Sequence, residues 1–443
     1  MMKINSDLII ITGEYLIVSA RLPFVKNGAV VIKKRRVIDW GEDDEILKKY
    51  KGGHVIKRPN SIIAPGLINV HTHAPMVLFR GLADDLPLKT WLEKYIFPAE
   101  AKLNSQVIEL GTWLSCAEML ASGTTTFVDM YFFERTMAKI VEKIGMRAYL
   151  GEGILDFPTP SFNDPKEVFK ETEDLLKIYK GHPRINFTVC PHTPYTCQKE
   201  LLIEAKNLSK ALNLKLVIHL SETKWEYEEF LNKKGMTPVE YLNDLELLDR
   251  DLIAVHCVWL TDSDIELLAQ KEVNVVHCPE SNLKLGSGIS PVKKMREKGI
   301  NVCLGTDGAA SNNDLDMLCE MDMAAKIAKG EGLDPAIISA EDVFFMATEA
   351  GAKALGRTDL GHLNRGASAD LFIINLDRPH LRPCFNPISQ IVYAAKAGDI
   401  TDVMVDGNFL IKEGRFLTIN IDDVIKKVKS FQHQPIWQES PCN

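Results

Sequence analysis

Leu67-Ile68-Asn69-Val70-His71-Thr72-His73 is an apolar, strand-like run that ends in side chains able to do chemistry, and the pattern is repeated along the middle of the chain. Working outward, Thr124–Met130 carries Asp129 near its end, Asn186–His192 ends at His192, and Lys215–Glu222 carries His219 and Glu222. Asp251–Val258 then carries His256, Val273–Pro279 carries His277, Asn301–Asp307 closes on Asp307, and Arg147–Gly153 makes the eighth strand candidate. Between them, Gln106–Ser122, Phe133–Ile144, Pro165–Lys180, Lys199–Leu212, Asp262–Lys271 and Pro291–Lys298 have the apolar spacing of helices. Eight alternating β-α units predict a closed (β/α)8 TIM barrel. In such a barrel the C-terminal strand ends share one face, so polar residues at most of those ends predict one cluster there.

The flanks read differently. Leu8–Ile11, Tyr15–Val18, Ala29–Ile32, Arg36–Asp39 and His54–Lys57 are short strand candidates. The same texture returns in Asp370–Leu376, Asp402–Val405 and Phe409–Lys412, the last two joined by an Asp406-Gly407 turn signal. Two β-rich ends around a β-α middle predict one small β-sandwich domain formed by both termini, because chain ends often lie close together. The expected division is residues 1–61 and 365–443 (with a C-terminal tail) for the sandwich, and 62–364 for the barrel. A barrel alone accommodates about 250 residues, so 443 residues make two domains rather than three.

With 52 Lys+Arg against 60 Asp+Glu the net charge is −8, which argues against a nucleic-acid or anionic-membrane binder. The nine cysteines are odd in number and include no C-x-x-C pair, so no disulfide framework is expected. No apolar run reaches the roughly 18 residues of a membrane helix. The first residues lack a signal-peptide cleavage site, and a cytoplasmic location is expected.

His71 and His73 are two apart on a strand, so their imidazoles point to one face and can reach one ion. Two histidines on a solvated strand face are the alternative, but the apolar run before them favours a buried pair that shares a metal. His219 ends the Leu216–Ile218 run and supplies a third nitrogen. Asp307 ends the last strand, where it either completes the coordination or caps a helix. Glu222 either caps the helix that begins near Thr223 or shuttles a proton between water and substrate. His256 is a ligand, an oxyanion donor or a core histidine, and the donor role is favoured because three His and one Asp already make a mononuclear set. His277 is as readily structural. The fourth strand has no Lys to bridge a second metal, so one ion is expected.

PGLINVHTH, HLSE, AVHC, HCPESNLKL and LGTDG, in this order and spacing, resemble the amidohydrolase superfamily, in its adenosine-like deaminase and chlorohydrolase branch. MVLFRGLADDLPLKTWLEKYIFPAE, GTTTFVDMYFF and GTDGAASNNDLDM are similar to the 5′-methylthioadenosine/S-adenosylhomocysteine and 5′-deoxyadenosine deaminases. The resemblance implies one Zn2+ per subunit, with Fe2+ as the alternative, held by His71, His73, His219 and Asp307. It further implies that Glu222 protonates the purine ring nitrogen beside the amino-bearing carbon, that His256 stabilises the tetrahedral adduct, and that Asp307 accepts the proton of metal-bound water. Glu100 and His192 match the family's nucleoside-contacting positions, and Trp91 and Ser311 are further pocket candidates. The implied partner is a small purine nucleoside, and a homo-oligomer is compatible with the sequence.

One departure stands out. Members that use S-adenosylhomocysteine place arginines after the third strand, where this chain has Glu152 and then Gly153-Ile154-Leu155-Asp156-Phe157-Pro158. A substrate carboxylate would lose charge-assisted contacts worth roughly 1.5–3 kcal/mol each. Methylthioadenosine, 5′-deoxyadenosine and adenosine are therefore expected to be preferred over S-adenosylhomocysteine. The competing expectations are deamination or dechlorination of another N-heterocycle (guanine, pterin, triazine) on the same scaffold, and a barrel without enzymatic activity. Glu222 favours deamination, since an amine needs protonation to leave more than chloride does.

Overall fold

The structure, a computed structural model, describes residues 8–433. The first seven residues of the segment read as lacking a signal peptide, and the last ten residues of the expected tail, lie outside the described residues. The chain divides into two compact units. One contains the residues up to Asn69, Glu118–Thr126 and Asp316–Thr418; the other contains Val70–Ala117, Phe127–Leu315 and the residues from Ile419 on.

In the first unit, β1 (Leu8–Leu16), β2 (Val25–Lys33), β3 (Arg36–Glu42) and β4 (His54–Pro65) come from the N-terminal side. They join one eight-stranded sheet with four strands near the C-terminus. The junction is β4, which pairs in parallel with β1 and antiparallel with Leu371–Asn375, setting Ile63 opposite Ile373. The expected Leu8–Ile11 and Tyr15–Val18 strands are one strand, bulged between Gly13 and Tyr15. Alternation sorts its side chains onto two faces. Ile11, Val30 and Ile32 pack with Ile63, Leu371, Ile373 and Met404, so residues from both chain ends fill one core. On the other face, Ile10, Ala29 and Val31 are covered by Ile46 of the helix Asp43–Lys49. Asp406 and Gly407 both have positive φ, 51° and 77°, as the tight turn between the last strands requires.

Parallel strands follow in β-α order: β5 (Leu67–Thr72), β6 (Thr124–Tyr131), β7 (Arg147–Ile154), β8 (Ile185–Phe187), β9 (Cys190–Pro191), β10 (Leu216–Leu220), β11 (Leu252–His256), β12 (Asn274–His277) and β13 (Asn301–Leu304). Bridges from Thr72 to Asp307 and from Val189 to Leu216 close them into a ring. The strand expected over Asn186–His192 is present as two short pieces, β8 and β9, which together take the fourth place. Nearly every strand residue is buried, as parallel strands covered on both faces must be. Gly305 lets the end of β13 approach β5, since a Cβ there would lie 2.8 Å from the His71 backbone nitrogen and 2.9 Å from its Cβ. β14 (Leu371–Asn375), β15 (Ile400–Val405), β16 (Asn408–Lys412) and β17 (Arg415–Phe416) complete the sheet of the first unit.

Several strands stop earlier than the sequence suggests. Ser221, His256, Cys257 and Asp307 all have φ between 49° and 73°, a left-handed backbone that ends strand pairing at those positions. Such strain in non-glycine residues clusters at functional sites. Here it lies at the C-terminal ends of β10, β11 and the β13 segment.

Candidate active site

β5 delivers His71 and His73, β10 delivers His219, and the turn after β13 delivers Asp307. The His71 and His73 Nε2 atoms lie 3.1 and 3.2 Å from His219 Nε2, and 3.3 and 3.2 Å from Asp307 Oδ1. The other ring nitrogens explain why this is a ligand set. His73 Nδ1 faces the Met130 carbonyl, and His219 Nδ1 lies 2.8 Å from the His192 carbonyl. A carbonyl only accepts, so Nδ1 of His73 and His219 carries a hydrogen, and an ion between them would be met by their Nε2 lone pairs. Converging lone pairs repel unless a cation stands among them. Four donors around an ion at about 2.0–2.1 Å would be separated by about 3.3 Å in a tetrahedron, close to the spacing present. The residues therefore fit one transition-metal ion, with carbonyls orienting the rings from behind.

Asp307 is held in place from its other oxygen. Oδ2 accepts from Ser281 Oγ at 2.6 Å and Ser311 Oγ at 2.9 Å. Burial works to raise its pKa, but the His71 and His73 rings beside it hold the carboxyl well below the usual carboxylate range. Ser311 thus touches Asp307 as well as lining the pocket.

Glu222 follows β10 and is buried. Capping of the next helix, Lys224–Lys234, falls to Thr223, whose side chain accepts from Glu226 N. Glu222 is left free for the pocket. Its Oε1 accepts from Ser287 Oγ at 3.2 Å and its Oε2 lies 3.9 Å from His256 Nε2. Burial raises its pKa above the ordinary glutamate value, which favours a carried proton. His256 Nδ1 lies 2.9 Å from Asn282 Oδ1, and the ring stacks on His219 at 5.4 Å.

The remaining sequence candidates line the same cavity as His73, His219, Glu222, His256 and Asp307. Trp91 lies in a helical segment, Leu88–Glu100, that contains a π turn at Leu92–Ile96. Glu100 ends that segment beside the buried Tyr131 hydroxyl, and burial lifts its carboxyl to about 7. His192 pairs through Nδ1 with Thr196 Oγ1 at 2.9 Å, and burial lowers it to about 3. Tyr131, Ser281, Asn282 and Ser287 were not singled out from sequence. Ser281 and Asn282 lie inside HCPESNLKL, a signal that was available but named no role.

Three strand-end residues do not join this group. Asp129 faces away, accepting from Thr72 Oγ1 at 2.5 Å and Ala74 N at 2.6 Å. His277 is buried with neither ring nitrogen hydrogen-bonded, and burial lowers it to about 3. Glu152, read as standing where a pocket arginine would, points instead at the helix Glu134–Ile144. It accepts from Phe133 N and Glu134 N, each at 3.0 Å, and from Ser161 Oγ. A carboxylate on first-turn amides neutralises the positive end of a helix, so the role of Glu152 is structural.

A closed β-α ring with three imidazoles and a carboxylate converging at its strand ends defines a metal-dependent hydrolase. Residues 62–410 match the model of the amidohydrolase family, and the chain belongs to it. Over 423 residues it is 46% identical to the 5-methylthioadenosine/S-adenosylhomocysteine deaminase of Thermodesulfovibrio yellowstonii, covering 94% of this chain and 96% of that protein. It is 44% identical over 409 residues to the 5′-deoxyadenosine deaminase of Methanocaldococcus jannaschii, covering 91% and 96%. Among solved structures, an adenosine deaminase from Xanthomonas campestris with bound zinc superposes with a TM-score of 0.93 at 33% identity, over 96% of this chain and 97% of that one.

Proposed function

We propose that this chain is a zinc-dependent hydrolytic deaminase of adenosine-type nucleosides, in which His71, His73, His219 and Asp307 hold the ion. The observation that supports this most is the convergence of three histidine Nε2 atoms and Asp307 Oδ1 in one group, with the buried Glu222, its pKa raised by burial, in the same pocket. A bound zinc ion supplies a Lewis acid that makes a water acidic enough to act as nucleophile near neutral pH.

The chain's own residues do the rest. Glu222 holds a proton at its carboxyl and delivers it to the ring nitrogen next to the amino-bearing carbon. Asp307, kept ionised by its neighbours and oriented by Ser281 and Ser311, takes up the proton released by the nucleophile. His256 positions the group added to the ring. When Asn282 turns its amide nitrogen toward Nδ1, the ring proton moves to Nε2, and that atom becomes a donor into the pocket. Glu100 accepts from ribose hydroxyls, Trp91 flanks the base, and His192 contacts the substrate while its carbonyl orients His219.

Ammonia release from adenosine, 5′-deoxyadenosine, methylthioadenosine, guanine and a triazine tests the reading. Turnover is expected for the adenine nucleosides, and a preference for guanine or the triazine rejects it. The acidic, C-x-x-C-free sequence supports a cytosolic setting. No helix among the described residues is long and apolar enough to cross a membrane.

A further inference from the structure

Several helices of this chain close their first turn with a reciprocal pair of bonds. At Pro238–Asp244, Asp262–Gln270 and Ala340–Met346, a Thr or Ser before the helix accepts from the N–H of the third helical residue. That residue's carboxylate accepts in return from the N–H of the Thr or Ser: Glu240 at 2.7 Å, Asp264 at 2.8 Å and Asp342 at 3.2 Å. The helix Lys224–Lys234 begins in the same way, since Thr223 Oγ1 accepts from Glu226 N at 3.2 Å. Its return bonds are different. The Glu226 carboxylate reaches past Thr223 to the two amides before it, with Oε1 on Ser221 N at 3.0 Å and Oε2 on Glu222 N at 2.8 Å.

Those two amides belong to the turn that aims Glu222. On a regular strand His219 and Glu222, three residues apart, would face opposite sides. Both line the same cavity, because Ser221 turns the chain with a left-handed φ of 52° after β10 has ended. Such a backbone is costly for a residue with a Cβ and persists only where its surroundings hold it. One side of the hold is the next loop, where Val258 N and Trp259 N both donate to the Ser221 carbonyl, at 3.0 and 2.9 Å. The other side is Glu226, which is only 2% exposed, so an amide freed from it would lack a buried acceptor.

We propose that Glu226 is the positioning residue for Glu222. By bridging both amides of the turn it keeps Ser221 left-handed and the Glu222 carboxyl in the cavity, with Oε2 3.9 Å from His256 Nε2. The inference rests on the reading of Glu222 as the proton donor to a nucleoside. Glu152 bridges the amides of Phe133 and Glu134 in a similar way, but neither of those residues lines the cavity. The same bonding is therefore structural at Glu152 and bears on turnover at Glu226.

The test is a double-mutant cycle with Glu222→Gln, in which kcat and KM for adenosine deamination are measured beside metal content. Glu226→Ala is expected to lower kcat about 10–100-fold, since misplacing a reacting group by about 1 Å can cost that much. KM should stay within about threefold and the metal should be retained, because substrate binding and the ligand set are untouched. In the Glu222→Gln background the same substitution should change kcat by less than about twofold, as the donor it positions is already gone. Glu226→Gln keeps one acceptor oxygen and should lose about five- to tenfold in kcat; it carries the cycle if the alanine variant does not fold. An unchanged kcat, an equal loss in both backgrounds, or loss of the metal along with turnover overturns the role of Glu226. A wild-type enzyme that deaminates no adenine nucleoside rejects the nucleoside reading instead, and a fully active Glu222→Gln rejects the donor.

Discussion

Two groups of buried acids lie at or just beyond the C-terminal ends of barrel strands, and they do opposite work. Asp307 and Glu222 face the cavity beside three imidazoles. Asp129, Glu134 and Glu152 lie behind β6 and β7, bonded to backbone amides and to Thr72 and Ser161. The difference is one residue of register. On β5, His71 and His73 point inward and Thr72, between them, points outward to Asp129. On β7, Gly153 lines the pocket and Glu152, next to it, turns to a helix N-terminus. An acid at the end of a barrel strand therefore marks the catalytic face only when its parity matches.

Substitutions in the two groups should separate accordingly. The largest effect is expected from His219→Ala, which removes one of the converging nitrogens. Bound metal should fall well below one ion per chain and turnover by on the order of 10³ or more, since the metal supplies several kcal/mol of transition-state stabilisation. Full metal content with normal turnover would contradict the ligand set. Glu222→Gln should keep its metal and lose about 10²–10⁴-fold in kcat, the usual contribution of a positioned proton donor. Metal analysis beside steady-state kinetics distinguishes these two variants.

Asn282→Leu leaves His256 Nδ1 without its buried partner and should cost about 10–100-fold, comparable to other losses behind a catalytic imidazole. An unchanged kcat in that variant would remove Asn282 from the account of His256. The smallest effect on turnover belongs to Glu152→Gln, whose consequence is in stability. Burial raises the Glu152 carboxyl to about 7 from an ordinary 4.5, so between those values the folded protein holds a proton that the unfolded chain has released. Its contribution is full at low pH, declines as pH rises from about 4.5 through 7, and is level above. The glutamine variant should lack that slope in a plot of Tm against pH. A kcat loss matching that of Glu222→Gln would erase the distinction between the two groups.

Much of this was legible because the chemistry repeats with the strands. Eight apolar runs, each carrying His, Asp or Glu toward its end, locate the barrel, and Lys199–Leu212 is a helix over just the expected residues. His71, His73, His219 and Asp307 stand out because each ends such a run. Parity at strand ends was not legible, since the last residues leave regular pairing through left-handed backbone at Ser221, His256 and Asp307. Glu152 was misplaced for a different reason: it lies within regular β7, and which of Glu152 and Gly153 faces the pocket is not visible in the sequence. The helices Pro238–Asp244 and Met317–Gly332 lay outside the expected β-α pattern. Ser287 meets Glu222 from a position distant in sequence, so no local pattern points to it, while Tyr131 lies inside GTTTFVDMYFF, a signal that named no role for it.

The pairing of Ser61 with Asn375 across β4 and β14 has a consequence for how the protein is made. At synthesis rates of about 5–20 residues per second, the ribosome releases β4 some tens of seconds before its antiparallel neighbour exists. Ile62, Ile63 and Ala64 then form an open, apolar edge, the kind that recruits other chains. A nascent or truncated chain that ends before β14 is expected to be a client for chaperones, however complete its metal ligands are.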